Sequence, residues 1–237
     1  MNALILTAAG SSTRMGGTVK KEYLTLSEDA SGRISVLSQA LFKFLDTRFF
    51  SFIVITVPKA GETEARAVLA ADPRIALLLE ETGARVFFAQ GGDSRQASVL
   101  RGLESLVSNT PDVITNADIV LIHDAARPYV TAPVIRSVLE TAAAKGAAVP
   151  AIPPVDTEKE IDANGRIVRH LDRSSIVAVQ TPQGFLLAPL VEAHRKAALD
   201  GKTYTDDTEI WGRYEGDVWV CPGERENKKI TYAGDIL

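Results

Sequence analysis

The chain has 237 residues, of which 46% are hydrophobic and 24% charged, so it can bury a sizeable core and does not have the composition of a disordered chain. Its 26 Lys and Arg against 30 Asp and Glu give a net charge of −4, which argues against bulk-charge binding to nucleic acid or anionic membranes but permits a local cationic pocket for phosphates. The single cysteine, Cys221, excludes an internal disulfide.

The first residues are apolar, but no basic leader precedes them and the apolar run is too short for a signal peptide. No stretch of the sequence approaches the roughly 20 apolar residues of a membrane span. We therefore expect a cytoplasmic protein with neither a membrane nor a nucleic-acid partner.

Short apolar runs alternate with longer stretches of helical periodicity. Four runs are apolar throughout, which is typical of strands buried on both faces: residues 3–7, 52–57, 85–89 and 119–122. The periodicity predicts helices over residues 36–45 behind a cap at Ser35, 62–81 with a break at Asp72-Pro73, 96–107, and 133–145 before Gly146. This alternation predicts an α/β fold, Rossmann-like and three-layered, with a mostly parallel sheet and right-handed crossovers in one domain over residues 1–237.

Two segments interrupt the alternation. Residues 27–35 are polar and contain glycine, which predicts a surface hairpin or loop. Residues 153–173 contain two β-like runs around Asn164-Gly165, a strong signal for a tight turn, and predict an inserted β-hairpin arm. Because an exposed arm usually needs a partner to cover it, we expect a homodimer formed through this arm.

The loop after the first predicted strand carries the strongest chemical signal. Small residues at 8–12 let the backbone approach a ligand and direct N–H groups at phosphate oxygens. Arg14 and Lys21 add two cations, which a polyphosphate reacting at phosphorus needs because negative charge spreads over its oxygens. The loop matches neither the P-loop pattern nor the dinucleotide-binding pattern. Against the alternative of a glycine-rich turn with two solvated cations, we favour phosphate binding.

Seven further motifs follow this loop in order along nearly the whole chain. They are Gly91-Gly92-Asp93-Ser94-Arg95-x2-Ser98-Val99, His123-Asp124-Ala125-Ala126-Arg127-Pro128, Asp156-Thr157-x-Lys159, Asp172-Arg173, Thr181-Pro182-Gln183, Thr205-Asp206-Asp207 and Asn227-x-Lys229-Ile230-Thr231. Together with Ala8-Ala9-Gly10-x3-Arg14-Met15 and Lys21-Glu22-Tyr23-Leu24, they resemble the sugar-phosphate nucleotidyltransferases and, more narrowly, the 2-C-methyl-D-erythritol 4-phosphate cytidylyltransferase family of the non-mevalonate isoprenoid pathway. Any one motif is weak, but eight in the right order are highly specific.

The resemblance implies a binding site for CTP. Asp93 and Ser98 supply an acceptor and a hydroxyl that can read the edge of a base, and an acceptor suits the N4 amino group of cytosine. Asp93 fits equally well as a helix N-cap. The implied nucleotide-binding residues are Ala8, Ala9, Gly10, Ser11, Gly92, Asp93, Ser98 and Ala125.

Asp124 ends a buried strand and is the expected ligand, direct or through water, of Mg²⁺ or another divalent cation. With Arg14 and Lys21 it forms the expected catalytic set. Arg127 follows it and can clamp an incoming phosphate with its planar donor fork. His123 is interpreted as a packed, hydrogen-bonded residue rather than as part of the chemistry.

The resemblance also implies a site for a sugar-alcohol phosphate. In the family, the counterparts of Thr157 and Arg173, at the two ends of the arm, contact the sugar phosphate bound to the neighbouring subunit. The alternative for Arg173 is a surface ion pair with Asp172, which would contribute little. Thr181 and Lys229 would complete this acceptor site through a hydroxyl and a cation.

The implied reaction is direct transfer of CMP from CTP to 2-C-methyl-D-erythritol 4-phosphate. A phosphate monoester is largely ionised near pH 7, so in-line attack on the α-phosphorus needs no general base and no covalent intermediate. Two alternatives stay open: a cytidylyltransferase for ribitol 5-phosphate, and a nucleotide-binding or assembly protein without activity.

Two residues depart from the family pattern beside the expected catalytic lysine. Lys20 stands where the family usually has proline, and Glu22 where it often has glutamine. An extra cation beside Lys21 could duplicate or misdirect its role, and spacing alone selects Lys21.

Overall fold

A computed structural model describes residues 1–10, 20–111, 115 and 117–235 of the chain. The strands are β1 (Asn2–Thr7), β2 (Thr25–Asp29), β3 (Gly32–Ser35), β4 (Phe52–Val57), β5 (Arg85–Gln90), β6 (Ile119–Asp124), β7 (Ala147–Ile152), β8 (Lys159–Ile161), β9 (Ile167–His170), β10 (Ala178–Val179), β11 (Gln183–Leu186) and β12 (Trp219–Pro222). The α-helices are α1 (Val36–Leu45), α2 (Glu62–Ala70), α3 (Pro73–Thr82), α4 (Arg95–Asn109), α5 (Ala132–Lys145), α6 (Leu187–Leu199) and α7 (Asp207–Tyr214), with short 3₁₀ turns at Lys21–Tyr23, Arg173–Ser175 and Ala233–Asp235.

The central sheet of the described residues has eight strands in the order β10-β7-β11-β6-β1-β4-β5, with β12 paired to β7. The strands β6, β1, β4 and β5 are parallel neighbours, and β12 runs parallel to β7. The predicted mostly parallel sheet is therefore confirmed. The alternation of apolar runs did not reveal β11, which runs antiparallel between β6 and β7. This strand is only four residues long and continues directly into α6, so it forms no separate run in the sequence.

Helices cover both faces of the sheet, which gives the predicted three layers. Alternate residues of a strand point to opposite faces. Leu4 and Leu6 of β1 pack in a core with residues of α1 and α5, whereas Ala3 and Ile5 pack with residues of α4 and α6. All four side chains are fully buried.

The ends of the helices follow the capping signals in the sequence. Ser35 and Ser38 form a reciprocal capping box at the start of α1. The predicted helix over residues 62–81 is two helices, because Pro73 cannot continue α2 and Asp72 instead caps α3 by accepting from Arg74 N at 3.2 Å. Gly146, with φ of 92°, ends α5.

The two interrupting segments are both hairpins. β2 and β3 pair antiparallel within the polar segment, and β8 and β9 pair antiparallel around Gly165, whose φ is 81°. The arm of β8 and β9 exposes three apolar side chains, Ile161, Ile167 and Val168, at 59%, 50% and 49%. The predicted arm is confirmed, while the homodimer and the single domain over residues 1–237 stay predictions. Within the described ranges, no helix combines the length and apolarity needed to cross a bilayer.

The strand order reverses at β1, because the chain adds strands first on one side of β1 and later on the other. β4 and β5 lie on one side of β1, and β6 lies on the other. In open α/β sheets, the carboxyl ends of the two strands at such a reversal open a crevice in which ligands bind. The topology therefore places the first loop and the end of β6 at the same crevice.

Candidate functional site

The carboxyl ends of β1 and β6 meet at Thr7 and Asp124, which are partners in the sheet register. Thr7 Oγ1 donates to Asp124 Oδ1 at 3.3 Å, and Ala125 N donates to Thr7 O at 3.0 Å. Ala8 N donates to Thr56 O at 2.9 Å, which fixes the beginning of the β1 loop. The predicted residues Ala8 and Ala125 directly follow β1 and β6 and are fully buried.

Asp124 is a buried carboxylate surrounded by cations. Its Oδ2 lies 2.7 Å from Lys229 Nζ, and its Oδ1 lies 3.5 Å from Arg95 Nε. Burial by itself raises the pKa of this carboxyl, but Lys229, Arg95 and Arg127 together hold that pKa well below its usual range. Asp124 is therefore ionised at neutral pH and presents hard oxygen acceptors to the crevice.

The C-terminal segment, residues 224–231, brings the predicted cations together. Its Lys229 pairs with Asp124, its Asn227 O accepts from Arg127 Nη1 at 2.6 Å, and its Ile230 O accepts from Lys21 Nζ at 3.3 Å. Three cations from distant parts of the chain thus converge on one segment beside one carboxylate. The sequence predicted each of these cations, and the fold supplies their common location.

Asn227 anchors the C-terminal segment to the strand region beside it. Its Nδ2 donates to Thr181 O at 2.8 Å and lies 3.3 Å from Gln180 Oε1. Gln180 Nε2 also donates to Glu224 O at 2.7 Å, and Asn227 is fully buried. The Asn-x-Lys spacing therefore has a physical reason, because the asparagine fixes the backbone that carries Lys229.

His123 is a buried residue that hydrogen-bonds to two neighbours of the site. Its Nε2 lies 3.0 Å from Arg127 O, which can only accept, so Nε2 carries the proton and Nδ1 accepts from Thr181 Oγ1 at 3.0 Å. Thr181 Oγ1 in turn accepts from Asp124 N at 3.1 Å. Burial lowers the pKa of His123 to about 4, so the ring is neutral at pH 7. The interpretation of His123 as a packed residue is confirmed, and the structure places Thr181 at the crevice through contacts with His123 and Asp124.

The loop between β5 and α4 packs directly on the loop after β1. A Cβ at Gly91 would lie 2.3 Å from Ala9 Cβ, so only glycine permits this approach. Ser98 Oγ accepts from Gly92 N at 3.1 Å and donates to Ser94 O at 2.8 Å, which fixes the shape of the loop. The two predicted nucleotide-binding loops are therefore neighbours.

Asp93 does not cap α4, although the sequence is compatible with that role. The N-cap of α4 is Ser94, whose Oγ accepts from Ala97 N at 3.0 Å, so the interpretation of Asp93 as a helix cap is wrong. Asp93 is exposed, one residue before the cap. Its recognition of a base stays a prediction.

Sequence reasoning assigned no role to Arg95, which joins the crevice to a buried acidic residue. Arg95 Nη2 donates to Asp207 Oδ2 at 2.7 Å while its Nε faces Asp124. Asp207 is fully buried, and its Oδ1 lies 3.2 Å from His194 Nε2. Asp206 caps α7 by accepting from Glu209 N at 3.0 Å. Arg95 and Asp207 are 112 positions apart in the sequence. The sequence signal for a role of Arg95 is its position within the Gly91–Val99 motif.

Comparison with known proteins agrees with this arrangement. The family model "2-C-methyl-D-erythritol 4-phosphate cytidylyltransferase" matches residues 2–237. The chain belongs to this cytidylyltransferase family.

The relatives of this cytidylyltransferase family member differ in length. The chain is 39% identical over 236 residues to the "Bifunctional enzyme IspD/IspF" of Bradyrhizobium sp. strain BTAi1, covering 99% of the chain but only 54% of that relative. It is 34% identical to the 2-C-methyl-D-erythritol 4-phosphate cytidylyltransferase of Bacillus cytotoxicus, covering 100% of the chain and 95% of that relative. The solved cytidylyltransferase of Thermus thermophilus is similar with a TM-score of 0.70 and 30% identity, covering 98% of the chain and 94% of that structure.

The remaining family positions lie apart from the Asp124 cluster or outside the described residues. Thr157 and Arg173 are exposed on the arm, and none of the described hydrogen bonds or ion pairs joins either to Asp124. The described ion pairs also include none between Arg173 and Asp172, whose Oδ1 instead accepts from Ser174 N at 3.0 Å. Ser11 and Arg14 lie outside the described residues, so their assigned roles stay predictions.

The metal-binding side chains of the described residues are compatible with one kind of metal site. Over the described parts of the chain, no group of three or more His, Cys, Asp or Glu residues is placed to hold a metal ion. Mg²⁺ commonly binds through one or two carboxylates together with substrate phosphates and water. The Asp124 carboxylate is compatible with a site of this kind, in which phosphates and water supply the other ligands.

Proposed function

We propose that the chain transfers CMP from CTP to 2-C-methyl-D-erythritol 4-phosphate, giving 4-diphosphocytidyl-2-C-methyl-D-erythritol and pyrophosphate. Membership of the family and the names of its relatives of similar length support these substrates. The observation that carries the proposal is the convergence of Lys21, Arg127 and Lys229 on the C-terminal segment, whose Lys229 pairs with Asp124. A reaction that joins two anions needs a crevice with this excess of positive charge.

The nucleotide half of the reaction belongs to the loops after β1 and β5. The close packing of Gly91 on Ala9 supports a shared site for base and ribose. The exposed carboxylate of Asp93 accepts from the N4 amino group of cytosine, a donor that uracil lacks. Lys21 and Arg14 bind the triphosphate, and Asp124 would hold a divalent cation that would neutralise charge on the phosphates.

The acceptor half belongs to Arg127 and Lys229. Lys229 extends from an anchored backbone and its side chain is 34% exposed, so it can turn from Asp124 toward an incoming phosphate. An acceptor phosphate oxygen attacks the α-phosphorus in line, forming the new O–P bond as the bond to the pyrophosphate oxygen breaks. The attacking oxygen is already ionised, so neutral His123 has no proton to remove.

A second copy of the chain completes the acceptor site. The arm exposes Ile161, Ile167 and Val168, and a partner that covers them removes a large apolar surface from water. Thr157 and Arg173 lie at the ends of the same arm and contact the acceptor bound to the other subunit. The active form is then a homodimer in which each arm serves the neighbouring crevice.

The decisive experiment combines three nucleotides with two acceptors. CTP, UTP or ATP is supplied with Mg²⁺ and either 2-C-methyl-D-erythritol 4-phosphate or ribitol 5-phosphate, and pyrophosphate release is measured. We expect release with CTP and the methylerythritol phosphate. Release with ribitol 5-phosphate alone would reassign the acceptor, and binding of CTP without release in any mixture would support a nucleotide-binding protein.

A further inference from the structure

Lys20 and Lys21 are adjacent in the sequence, but their side chains reach different parts of the molecule. Lys20 Nζ donates to Gly10 O at 2.5 Å, whereas Lys21 Nζ donates to Ile230 O at 3.3 Å. The first lysine is therefore attached to the beginning of the β1 loop and the second to the C-terminal segment. The two cations are not duplicates of each other.

Glu22 lies between the two ammonium groups. Its Oε2 is 3.8 Å from Lys20 Nζ, and its Oε1 is 4.0 Å from Lys21 Nζ. Glu22 is only 2% exposed, so a buried carboxylate offsets the repulsion between the two lysines. The same Oε1 would lie 3.9 Å from a Cβ at Gly10, which places this charged group directly against the loop.

Lys20 is held in a defined position rather than solvated. Its side chain is 18% exposed, and its Nζ lies 5.8 Å from the centroid of the Tyr23 ring. Removing an ammonium group from water is costly unless its protons find acceptors. Gly10 O accepts one of these protons, and the Glu22 carboxylate partly offsets the burial, which nevertheless lowers the pKa of Lys20.

We infer that Lys20 is a positioning residue for nucleotide binding, which holds the Gly10 carbonyl away from the triphosphate. A loop that cradles phosphates must present N–H groups to its ligand, and a carbonyl turned toward a phosphate would repel it. An ammonium group bound to the Gly10 carbonyl keeps that carbonyl in place. This inference rests on the proposed function, because it takes the ligand of the loop to be CTP.

The test is the variant Lys20→Met, which keeps most of the apolar stem and removes the charged donor. We expect the dissociation constant for CTP, measured by titration calorimetry without acceptor, to rise about tenfold, the usual scale for a lost charge-assisted hydrogen bond. The KM for CTP should rise by a similar factor, while kcat and the KM for the acceptor stay within about twofold. A role in folding alone would lower the melting temperature without this separation.

Two further variants make the result interpretable. Lys59→Met removes the same charge from an exposed position beyond β4, and its CTP affinity should stay within about twofold of the original chain. Lys20→Arg keeps a charged donor and should recover CTP affinity to within about threefold, and it serves if the methionine variant does not fold. Equal CTP affinity in the Lys20→Met and Lys59→Met variants would overturn the inference. Normal CTP binding without turnover in the unmodified chain would overturn the proposed reaction alone, and no binding of CTP would overturn both.

Discussion

Lys229 pairs with a buried carboxylate, although its polar sequence neighbourhood is typical of a solvated lysine. A lysine in a polar segment is usually solvated, and Lys228 beside it is exposed. Lys229 instead lies 2.7 Å from a carboxylate that is 11% exposed. The difference arises because Asn227 and Ile230 fix the backbone on both sides of it.

The matched pair Lys229→Met and Lys228→Met tests this difference. We expect Lys229→Met to reduce kcat at least about 100-fold, because the acceptor phosphate loses its cation. It should also reduce the free energy of unfolding by about 1–3 kcal/mol, because Asp124 stays buried with less compensation. Lys228→Met should leave both quantities nearly unchanged. Steady-state kinetics and urea unfolding measure the two effects, and near-normal turnover of Lys229→Met would remove the assignment.

Substitutions of Lys21 and Asp93 should have different kinetic effects, the first on catalysis and the second on nucleotide recognition. Lys21→Ala removes a buried cation that we propose to bind the triphosphate, so we expect turnover to fall by orders of magnitude. Asp93→Ala should mainly raise the KM for CTP, or relax the choice between CTP and UTP, because the base is the proposed partner of this exposed carboxylate. Initial rates over a range of CTP and UTP concentrations distinguish the two outcomes. The assignments fail if the two variants show the same kinetic change.

His123 makes the stability of the chain depend on pH. The pKa of this histidine is about 4 in the folded chain and about 6.5 when unfolded, so between these values only the unfolded chain gains the proton. This contribution is complete above pH 6.5 and is lost as the pH falls toward 4, by about 3 kcal/mol in total. Urea unfolding at pH 7.5, 5.5 and 4.5 measures it. The variant His123→Gln should lose this part of the pH dependence, and an unchanged slope would contradict the assignment.

The crevice depends on how two loops fit together at the scale of elements. Gly91 packs against Ala9 with no room for a methyl group, and Ser98 Oγ would also lie 2.9 Å from an added Cβ. Gly91→Ala should therefore separate the loops after β1 and β5. We expect the KM for CTP to rise about tenfold or more and the melting temperature to fall, measured by kinetics and thermal unfolding. Gly201→Ala is a poor control for this variant. Gly201 has a φ of 71°, so an alanine there would be strained even though the position is exposed.

The better control for this packing effect is Gly212→Ala. Gly212 lies within α7, and a Cβ there meets no atom within 4 Å. Alanine also favours helices more than glycine, so this variant should be neutral or slightly stabilising. If both alanine variants bind CTP equally well, the contact between the loops does not shape the nucleotide site.

Most elements are predictable because local physics determines them. The apolar runs of β1, β4 and β6 are buried on both faces, and the Asp72-Pro73 break divides α2 from α3. The prediction that residues 85–89 are buried on both faces is wrong, because β5 lies at the end of the strand order and is only partly buried. The interaction between Arg95 and Asp207 is different, because it joins residues from separate elements and leaves no periodic trace. The same is true of β11, whose strand character comes from its neighbours β6 and β7 rather than from its own four residues.

The complete fold determines which residues of the separate motifs come into contact, and the motifs alone do not. The motifs name Lys21 and Asp124, but Lys21 and Ile230 are 209 positions apart, and only the complete fold brings them into contact. The convergence of Arg127 and Lys229 at the C-terminal segment likewise follows from the complete arrangement of strands. Sequence therefore predicts the chemical groups of this site far better than their contacts.

The proposed homodimer gives a prediction for the whole molecule. Val168 is 49% exposed on the arm, and Leu199 is 88% exposed on α6. A charge in a buried apolar interface is strongly unfavourable, so Val168→Asp should be a monomer at concentrations where the original chain is a dimer. Leu199→Asp should keep the original state. Analytical ultracentrifugation measures the mass, and a monomeric original chain would contradict the arm as a dimer contact.

The pairing of β7 has a consequence for synthesis on the ribosome. Every strand that pairs with β7 among the described residues is translated after it: β10, β11 and β12. By contrast, β6 can join β1 as soon as Asp124 has emerged. The apolar strand β7 can therefore pack on α5, which is made before it, but it has no partner strand among the described residues until the following polypeptide emerges. During that time its unpaired edges are open to chaperones and to mispairing.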